Sequence, residues 1–153
     1  MKVQSIIATA TIGLMISGSA LACGDSLYRA GKGVSYRTYS APLPGNLLIL
    51  GNSDGARELA AELARAGHVV RLVDNTDEMD STLASGKFDV VIAPFSARHS
   101  VESNAAASSF LPIADAGDEE QLARQSYKEV MVPEKHEIKH YLKAIHQALK
   151  DNA

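Results

Sequence analysis

The stretch NLLILGNSDGARELAAELARAGHVVRLV, residues 46–73, decides the fold of this chain. It opens with a short apolar run at residues 47–50 and closes with a second one at residues 69–73. Between the two runs, apolar residues recur over residues 56–64 at the spacing of one helix face, and Gly67 stands where helices commonly end. The stretch therefore predicts a strand, a helix and a second strand, which is the repeating unit of a parallel sheet.

The rest of the chain repeats this alternation. Three more short apolar runs follow, separated by segments of helix length, at residues 90–93, 110–114 and 130–132. The runs are apolar throughout rather than alternating, which is typical of strands buried on both faces. We therefore predict a single α/β domain over residues 46–150, with a five-stranded parallel sheet, helices on both faces and a (βα)5 order of elements.

Residues 1–22 have the pattern of a secretory signal peptide. Lys2 supplies a positive charge, residues 6–16 form an apolar segment too short to anchor stably in a bilayer, and residues 20–22 (Ala-Leu-Ala) supply a cleavage site. Residues 23–45, rich in Gly, Ser, Tyr and Pro, are predicted to be an extended lead-in, or linker, to the domain. We expect an exported protein that is located in the periplasm.

Cys23 is the single cysteine of the chain and directly follows the predicted cleavage site. Small residues followed by Cys resemble the lipobox of bacterial lipoproteins, whose thiol is acylated. The same residues suit ordinary signal peptidase, which would leave a soluble periplasmic protein, and both outcomes stay open. A lone thiol in an oxidising compartment has no internal disulfide partner, and lipidation would remove it. Cys23 is therefore a candidate lipidation site, through which the protein would be tethered to the outer membrane.

Composition and charge disfavour several classes of function. The net charge is −3, so the chain lacks the basic excess of a nucleic-acid-binding protein, and we expect no nucleic-acid partner. No apolar run of membrane-spanning length occurs after residue 22, so membrane contact is expected only through a lipid on Cys23. The chain has no Trp, which disfavours aromatic platforms for sugars or single-stranded nucleic acid.

Four sequence blocks resemble the response-regulator receiver domain, whose fold is flavodoxin-like. They are LLILGN (47–52), LARAGHVVRLVDN (63–75), GKFDVVIAPFSA (86–97) and EVMVPEK (129–135). The resemblance covers roughly residues 46–150 and implies the (βα)5 fold. It also implies that a protein partner is bound by the face around the fourth and fifth strands, which here would include Phe110, Tyr127 and Met131.

Receiver domains are phosphorylated on a carboxylate, and this chain lacks the residues that the reaction needs. Gly51 and Asn52 stand where the resemblance places the acidic pair that holds Mg²⁺, Pro94 stands at the phosphoacceptor, and Val132 stands at the phosphoryl-sensing lysine. We therefore predict a degenerate receiver-like domain that is not an enzyme and has no catalytic residue or cofactor. It is expected to act by binding a protein or a small ligand.

A small-ligand site is predicted at the carboxyl ends of the first and third strands, because ligands of such sheets bind in the crevice there. The N-terminus of the first helix lies at the same edge and offers free backbone N–H groups. The expected lining residues are Asn52, Ser53, Asp54, Pro94, Phe95 and Ser96.

Two other functions stay open at this loop. Gly51, Gly55 and Asp74 resemble part of a Rossmann nucleotide-binding unit, although G-x-x-x-G replaces its G-x-G-x-x-G. The loop also fits the G-x-S-x-G pattern of a small serine hydrolase with Ser53 as the nucleophile. The base and the acid of such a hydrolase would come from His99, His136 and Asp115.

Two further motifs are interpreted as carrying no chemistry. The sequence Gly-Asp-Ser-Leu at residues 24–27 spells the signature of a lipase-like family, but the Asp-x-x-His that such enzymes need does not follow it. His136 and His140 have the i, i+4 spacing that permits metal chelation. No third ligand is in register with them, so we expect no metal site.

Overall fold

The computed structural model describes residues 41–104 and 107–153. The predicted signal peptide, Cys23, the Gly-Asp-Ser-Leu motif and residues 23–40 of the predicted lead-in lie outside the described residues. Within the described ranges, no helix is long and apolar enough to cross a membrane.

The domain is α/β, with a parallel sheet of four strands in the described residues. The strands lie in the order β2-β1-β3-β4. They are β1 (Asn46–Leu50), β2 (Val69–Val73), β3 (Phe88–Pro94) and β4 (Ala107–Ile113). The helices are α1 (Asp54–Arg65), α2 (Thr76–Ser85), α3 (Arg98–Ser103), α4 (Asp118–Ser126) and α5 (Ile138–Asp151), and a 3₁₀ turn over Phe95–Ala97 precedes α3.

Helix α1 forms where the apolar spacing predicts it. Ser53 caps its N-terminus, since the Ser53 hydroxyl accepts a hydrogen bond of 3.1 Å from the Ala56 N–H. Asp54 in the first turn and Arg65 in the last turn complement the helix dipole. Gly67 follows the helix with φ of +109°, a conformation that a side chain disfavours, and it turns the chain into β2.

The sheet is covered by helices on both faces. On one face, residues such as Ile49 and Ile92 share a buried cluster with Leu59 of α1 and Tyr141 of α5. On the other face, the neighbouring strand residues pack with α2 and α3 in a second cluster. Because successive side chains of a strand point to opposite faces, these continuously apolar strands fill both layers of the core.

The structure does not confirm the predicted fifth strand at residues 130–132. Met131 forms one isolated parallel bridge with Ile113. The Met131 N–H donates to the Pro112 carbonyl at 2.8 Å. Pro133 has no N–H to extend the ladder, and the Val132 carbonyl instead accepts from two turn N–H groups, both at 2.9 Å. Pairing with β4 therefore stops after a single bridge, and the (βα)5 count is not reached.

The end of the predicted lead-in packs on the domain through His68. The Gly45 N–H donates to Nδ1 of His68 at 3.2 Å. Burial lowers the pKa of His68 from its ordinary value. The buried ring is therefore held neutral, which keeps Nδ1 available as the acceptor for Gly45.

Candidate functional site

A cleft of about 580 Å³ opens at the carboxyl ends of β1, β2 and β3. Helix α1 leaves β1 on one face of the sheet, and α2 leads to β3 on the other face. The connections therefore diverge between β1 and β3, and this topological switch point is where ligands of open α/β sheets bind. The position of the cleft follows directly from the strand order.

The structure brings four of the six predicted site residues to this cleft. The lining includes Asn52, Ser53, Pro94 and Ser96. Asp54 does not line the cleft, since its exposed side chain forms an ion pair of 2.7 Å with Arg57. Phe95 is 4% exposed and belongs to a core cluster, where its ring lies edge-to-face with Tyr127 at 6.1 Å. The 3₁₀ turn after β3 turns Phe95 inward, which strand periodicity alone could not indicate.

Two groups of lining residues lie outside the six residues predicted for the ligand site, although Asp74 was named for the nucleotide-binding alternative and His99 for the hydrolase alternative. Asp74, Asn75 and Thr76 follow β2, and His99 and Ser100 lie in α3. The first group could have been found from the sequence, because parallel strands end at the same edge and Asp74 follows an apolar run directly. The second group depends on how α3 packs across the sheet, for which the sequence carries no local signal.

Half of the residues that line the cleft have uncharged amide or hydroxyl side chains, namely Asn52, Ser53, Asn75, Thr76, Ser96 and Ser100. Both α1 and α2 begin at it, with Ser53 and Asn75 as their capping residues. Each cap is satisfied within its own helix, since the Asn75 side chain accepts from the Glu78 N–H at 2.9 Å. Asp74 is the one carboxylate among the described lining residues, and it opposes the partial positive charge of the two helix ends. Because the Asp74 carboxylate offsets the partial positive charge of the helix ends, the cleft suits an uncharged ligand with hydroxyl groups better than an anion.

The positions that correspond to the phosphoryl-transfer residues of receivers are occupied by residues of a different chemistry. Gly51 and Asn52 line the cleft at the end of β1, and Pro94 lines it at the end of β3. None of these three residues carries a carboxylate that could accept a phosphoryl group or hold Mg²⁺. Val132 is 0% exposed, so its side chain does not reach the cleft surface.

The serine hydrolase candidates are only partly brought together. Ser53 and His99 line the same cleft, whereas His136 lines a separate cavity, and Asp115 lines neither. Ser53 has an ordinary extended backbone (φ −76°, ψ 161°), unlike the strained turn of a nucleophile elbow. Its hydroxyl caps α1, and within residues 41–104 and 107–153 no histidine is hydrogen-bonded to it. The geometry does not favour nucleophilic catalysis by Ser53.

His136, which precedes α5, and His140, in the first turn of α5, are committed to backbone hydrogen bonds. Nδ1 of His136 accepts from the Val132 N–H at 2.9 Å, and Nδ1 of His140 accepts from the Glu137 N–H at 3.0 Å. Because each Nδ1 is an acceptor, each neutral ring carries its proton on Nε2, where a metal would have to bind. Across the described ranges, no group of three or more potential ligands could hold a metal ion.

The predicted partner face is more buried than the sequence indicated. Met131 is 3% exposed and belongs to the main core cluster, so it presents too little surface to anchor a protein partner. Phe110 and Tyr127 are partly buried and pack edge-to-face at 5.2 Å. Burial, followed by a hydrogen bond to Glu102, raises the pKa of Tyr127 to about 12. Tyr127 is therefore a neutral hydrogen-bond donor that links α3 to the end of α4.

Comparison with known proteins found no counterpart, since no protein-family model, curated protein or solved structure matches the chain. Function is therefore inferred from the cleft and its lining residues.

Proposed function

We propose that this protein is an exported, receiver-like binding module that holds a small polar ligand in the switch-point cleft and carries out no phosphorelay. The observation that carries this proposal is the cleft of about 580 Å³ at the carboxyl ends of β1, β2 and β3. Its volume lies within the range of about 300–1,000 Å³ found for small-molecule sites. Under this proposal, the isolated bridge between Ile113 and Met131 takes the place of the fifth strand of a receiver.

The lining favours a neutral, hydroxyl-rich ligand such as a nucleoside. Asp74 follows β2 at the place where the acidic residue of a nucleotide-binding unit accepts ribose hydroxyls. Asn52 and Ser96 add groups that can donate and accept hydrogen bonds. A phosphate in the cleft would face the Asp74 carboxylate, so nucleosides are expected to bind more tightly than their phosphates.

A thermal-shift panel of sugars, nucleosides and nucleotides tests this proposal. A ligand at about 100 times its Kd adds roughly 2.7 kcal/mol to the free energy of unfolding, which raises Tm measurably. Ser96→Trp should abolish this gain, because Ser96 is exposed at the cleft and an indole would occupy the ligand volume. Glu58→Trp is the matched control, since Glu58 is exposed on α1 and does not line the cleft.

Two results would contradict the cleft as the ligand site. One is a panel in which no neutral compound stabilises the protein. The other is a ligand that stabilises Ser96→Trp as much as the unchanged protein. Stabilisation of both the unchanged protein and Glu58→Trp, but not of Ser96→Trp, supports the proposal.

Export is proposed from the sequence of residues 1–22, with Cys23 as the first residue of the mature protein. We expect the intact mass of the protein from a bacterial host to correspond to a chain whose first residue is Cys23. If Cys23 is lipidated, its mass includes a diacylglyceryl group, and an inhibitor of lipoprotein signal peptidase causes the precursor to accumulate. Cys23→Ser is the control, because a serine cannot form the thioether. A mass that retains Met1 through Ala22 in untreated cells would refute export by this signal.

A further inference from the structure

A second cavity lies on a different part of the molecule and shares no lining residue with the cleft. It has a volume of about 260 Å³ and is lined by Arg124 of α4, the segment at residues 128–131, His136 and one side of α5. Val130, Met131 and Ala144 are buried and form its apolar floor.

Basic side chains outnumber acidic ones at the rim of this cavity. Arg124, Lys128 and Lys143 line it, and Glu129 is the one carboxylate among its described lining residues. Arg124 is paired with Glu120 at 3.1 Å. Lys128 and Lys143 have no ion-pair partner within 4.0 Å in the part of the chain that the structure describes. Neither lysine is therefore neutralised by an ion pair, and both line the same cavity, although the chain as a whole has a net charge of −3.

Two histidines add N–H donors to the same cavity. His136 and His140 both line it, and their ring centroids are 5.2 Å apart. Because each Nδ1 accepts a backbone N–H, each ring has Nε2–H as its remaining polar group. Burial, followed by repulsion from His140 and Arg124, lowers the pKa of His136. The His136 ring is thus a fixed N–H donor near neutral pH and offers no acceptor to a ligand.

We propose that this cavity is a binding site for a phosphate-type oxyanion, specifically the phosphate of a small phosphomonoester. Lysine ammonium groups and imidazole N–H groups are the donors that such an anion needs. An oxyanion alone would leave much of the space unfilled, because 260 Å³ corresponds to the liquid volume of about nine water molecules. The apolar floor formed by Val130, Met131 and Ala144 provides room for the organic part of the ester. The site does not depend on the ligand of the cleft.

Histidine side-chain NMR of the purified protein tests the site directly. Long-range ¹H–¹⁵N spectra are recorded while inorganic phosphate or glycerol 3-phosphate is added, with sodium chloride at equal ionic strength as the reference. The Nε2 signals of His136 and His140 are expected to shift saturably, whereas those of His68 and His99 stay in place. His68 is buried and His99 lines the other cleft, so both report on non-specific effects.

Substitutions that each remove one lysine charge test whether the lysines at the rim of the cavity bind the anion that causes the NMR shifts. Lys128→Gln and Lys143→Gln are each expected to weaken binding by about tenfold, since each removes one charge-assisted hydrogen bond to the anion. Lys87→Gln is the matched control, because Lys87 is exposed and lines neither cavity. All three residues are exposed, so folding should be preserved.

Tighter binding of glycerol 3-phosphate than of inorganic phosphate supports the full proposal. Equal affinity for the two supports an oxyanion site and overturns the part of the proposal that concerns the organic group. The site is overturned if neither compound produces more shift than chloride. It is also overturned if Lys128→Gln and Lys143→Gln bind as tightly as Lys87→Gln.

Discussion

Replacing Val132 by Lys is expected to lower the free energy of unfolding by about 3–5 kcal/mol, because it places an unpaired ammonium group at a buried position. Val132 is 0% exposed, and it stands where the receiver resemblance places the phosphoryl-sensing lysine. The loss should appear as a lower midpoint in urea unfolding with an unchanged slope. Such a loss would mean that this position has been adapted to packing and cannot simply regain the lysine.

Val132→Met separates the cost of burying a charge from the cost of burying a larger side chain. Methionine is also long and unbranched, so it tests the cost of overpacking, which is typically about 1–3 kcal/mol. The Lys variant should be clearly less stable than the Met variant. If the two are equally stable, the lysine must reach solvent from this position. That result would contradict the burial of Val132 and would reopen the comparison with functional receivers.

Tyr141→Ala is expected to cost about 3–5 kcal/mol, since it removes a large buried side chain and leaves a cavity. Tyr141 is 1% exposed and belongs to the cluster in which α1 and α5 cover one face of the sheet. For a domain of ordinary stability, about 5–15 kcal/mol, this would be a large part of the total. Chemical unfolding followed by circular dichroism would measure the loss.

Tyr141→Phe is the matched control, because it keeps the ring and removes only the hydroxyl. The ordinary pKa of tyrosine is about 10, and burial raises the pKa of Tyr141 further in the folded protein, so the hydroxyl is neutral in both folded and unfolded protein near neutral pH. We expect Phe to cost less than about 1.5 kcal/mol. A Tyr141→Ala variant as stable as Tyr141→Phe would show that α5 is not packed on the sheet as described.

The first part of the fold was predictable because its signals are local. Three features depend only on residues within a few positions of one another. They are the cap at Ser53, the apolar face of α1 and the turn at Gly67. The fifth strand was harder to judge, because an apolar run of three residues does not reveal whether a neighbour will pair with it. Pro133 and the turn that uses the Val132 carbonyl limit this pairing to one bridge.

The candidate sites also combine residues that local sequence could predict with residues that only tertiary packing brings together. Asn52 and Pro94 were expected at the cleft because parallel strands end at a common edge, and the structure places them there. His99 reaches this cleft only through the packing of α3. The basic cavity joins residues from the end of α4 with residues of α5, and no sequence pattern connected Lys128 with Lys143. In sequence they belong to segments that appear simply solvent-exposed and charged.

The sequence by itself determined the alternation of strands and helices as far as β4, the burial of the sheet on both faces and the edge of the sheet at which the cleft opens. These properties follow from hydrophobic periodicity and from the geometry of parallel strands, which act over short stretches of chain. Only the tertiary structure decided that Phe95 turns into the core, that the segment around Met131 pairs through a single bridge, and that Lys128 and Lys143 share a cavity. Each of these depends on contacts between distant segments, whose balance of packing, hydrogen bonding and charge has no signature in local sequence.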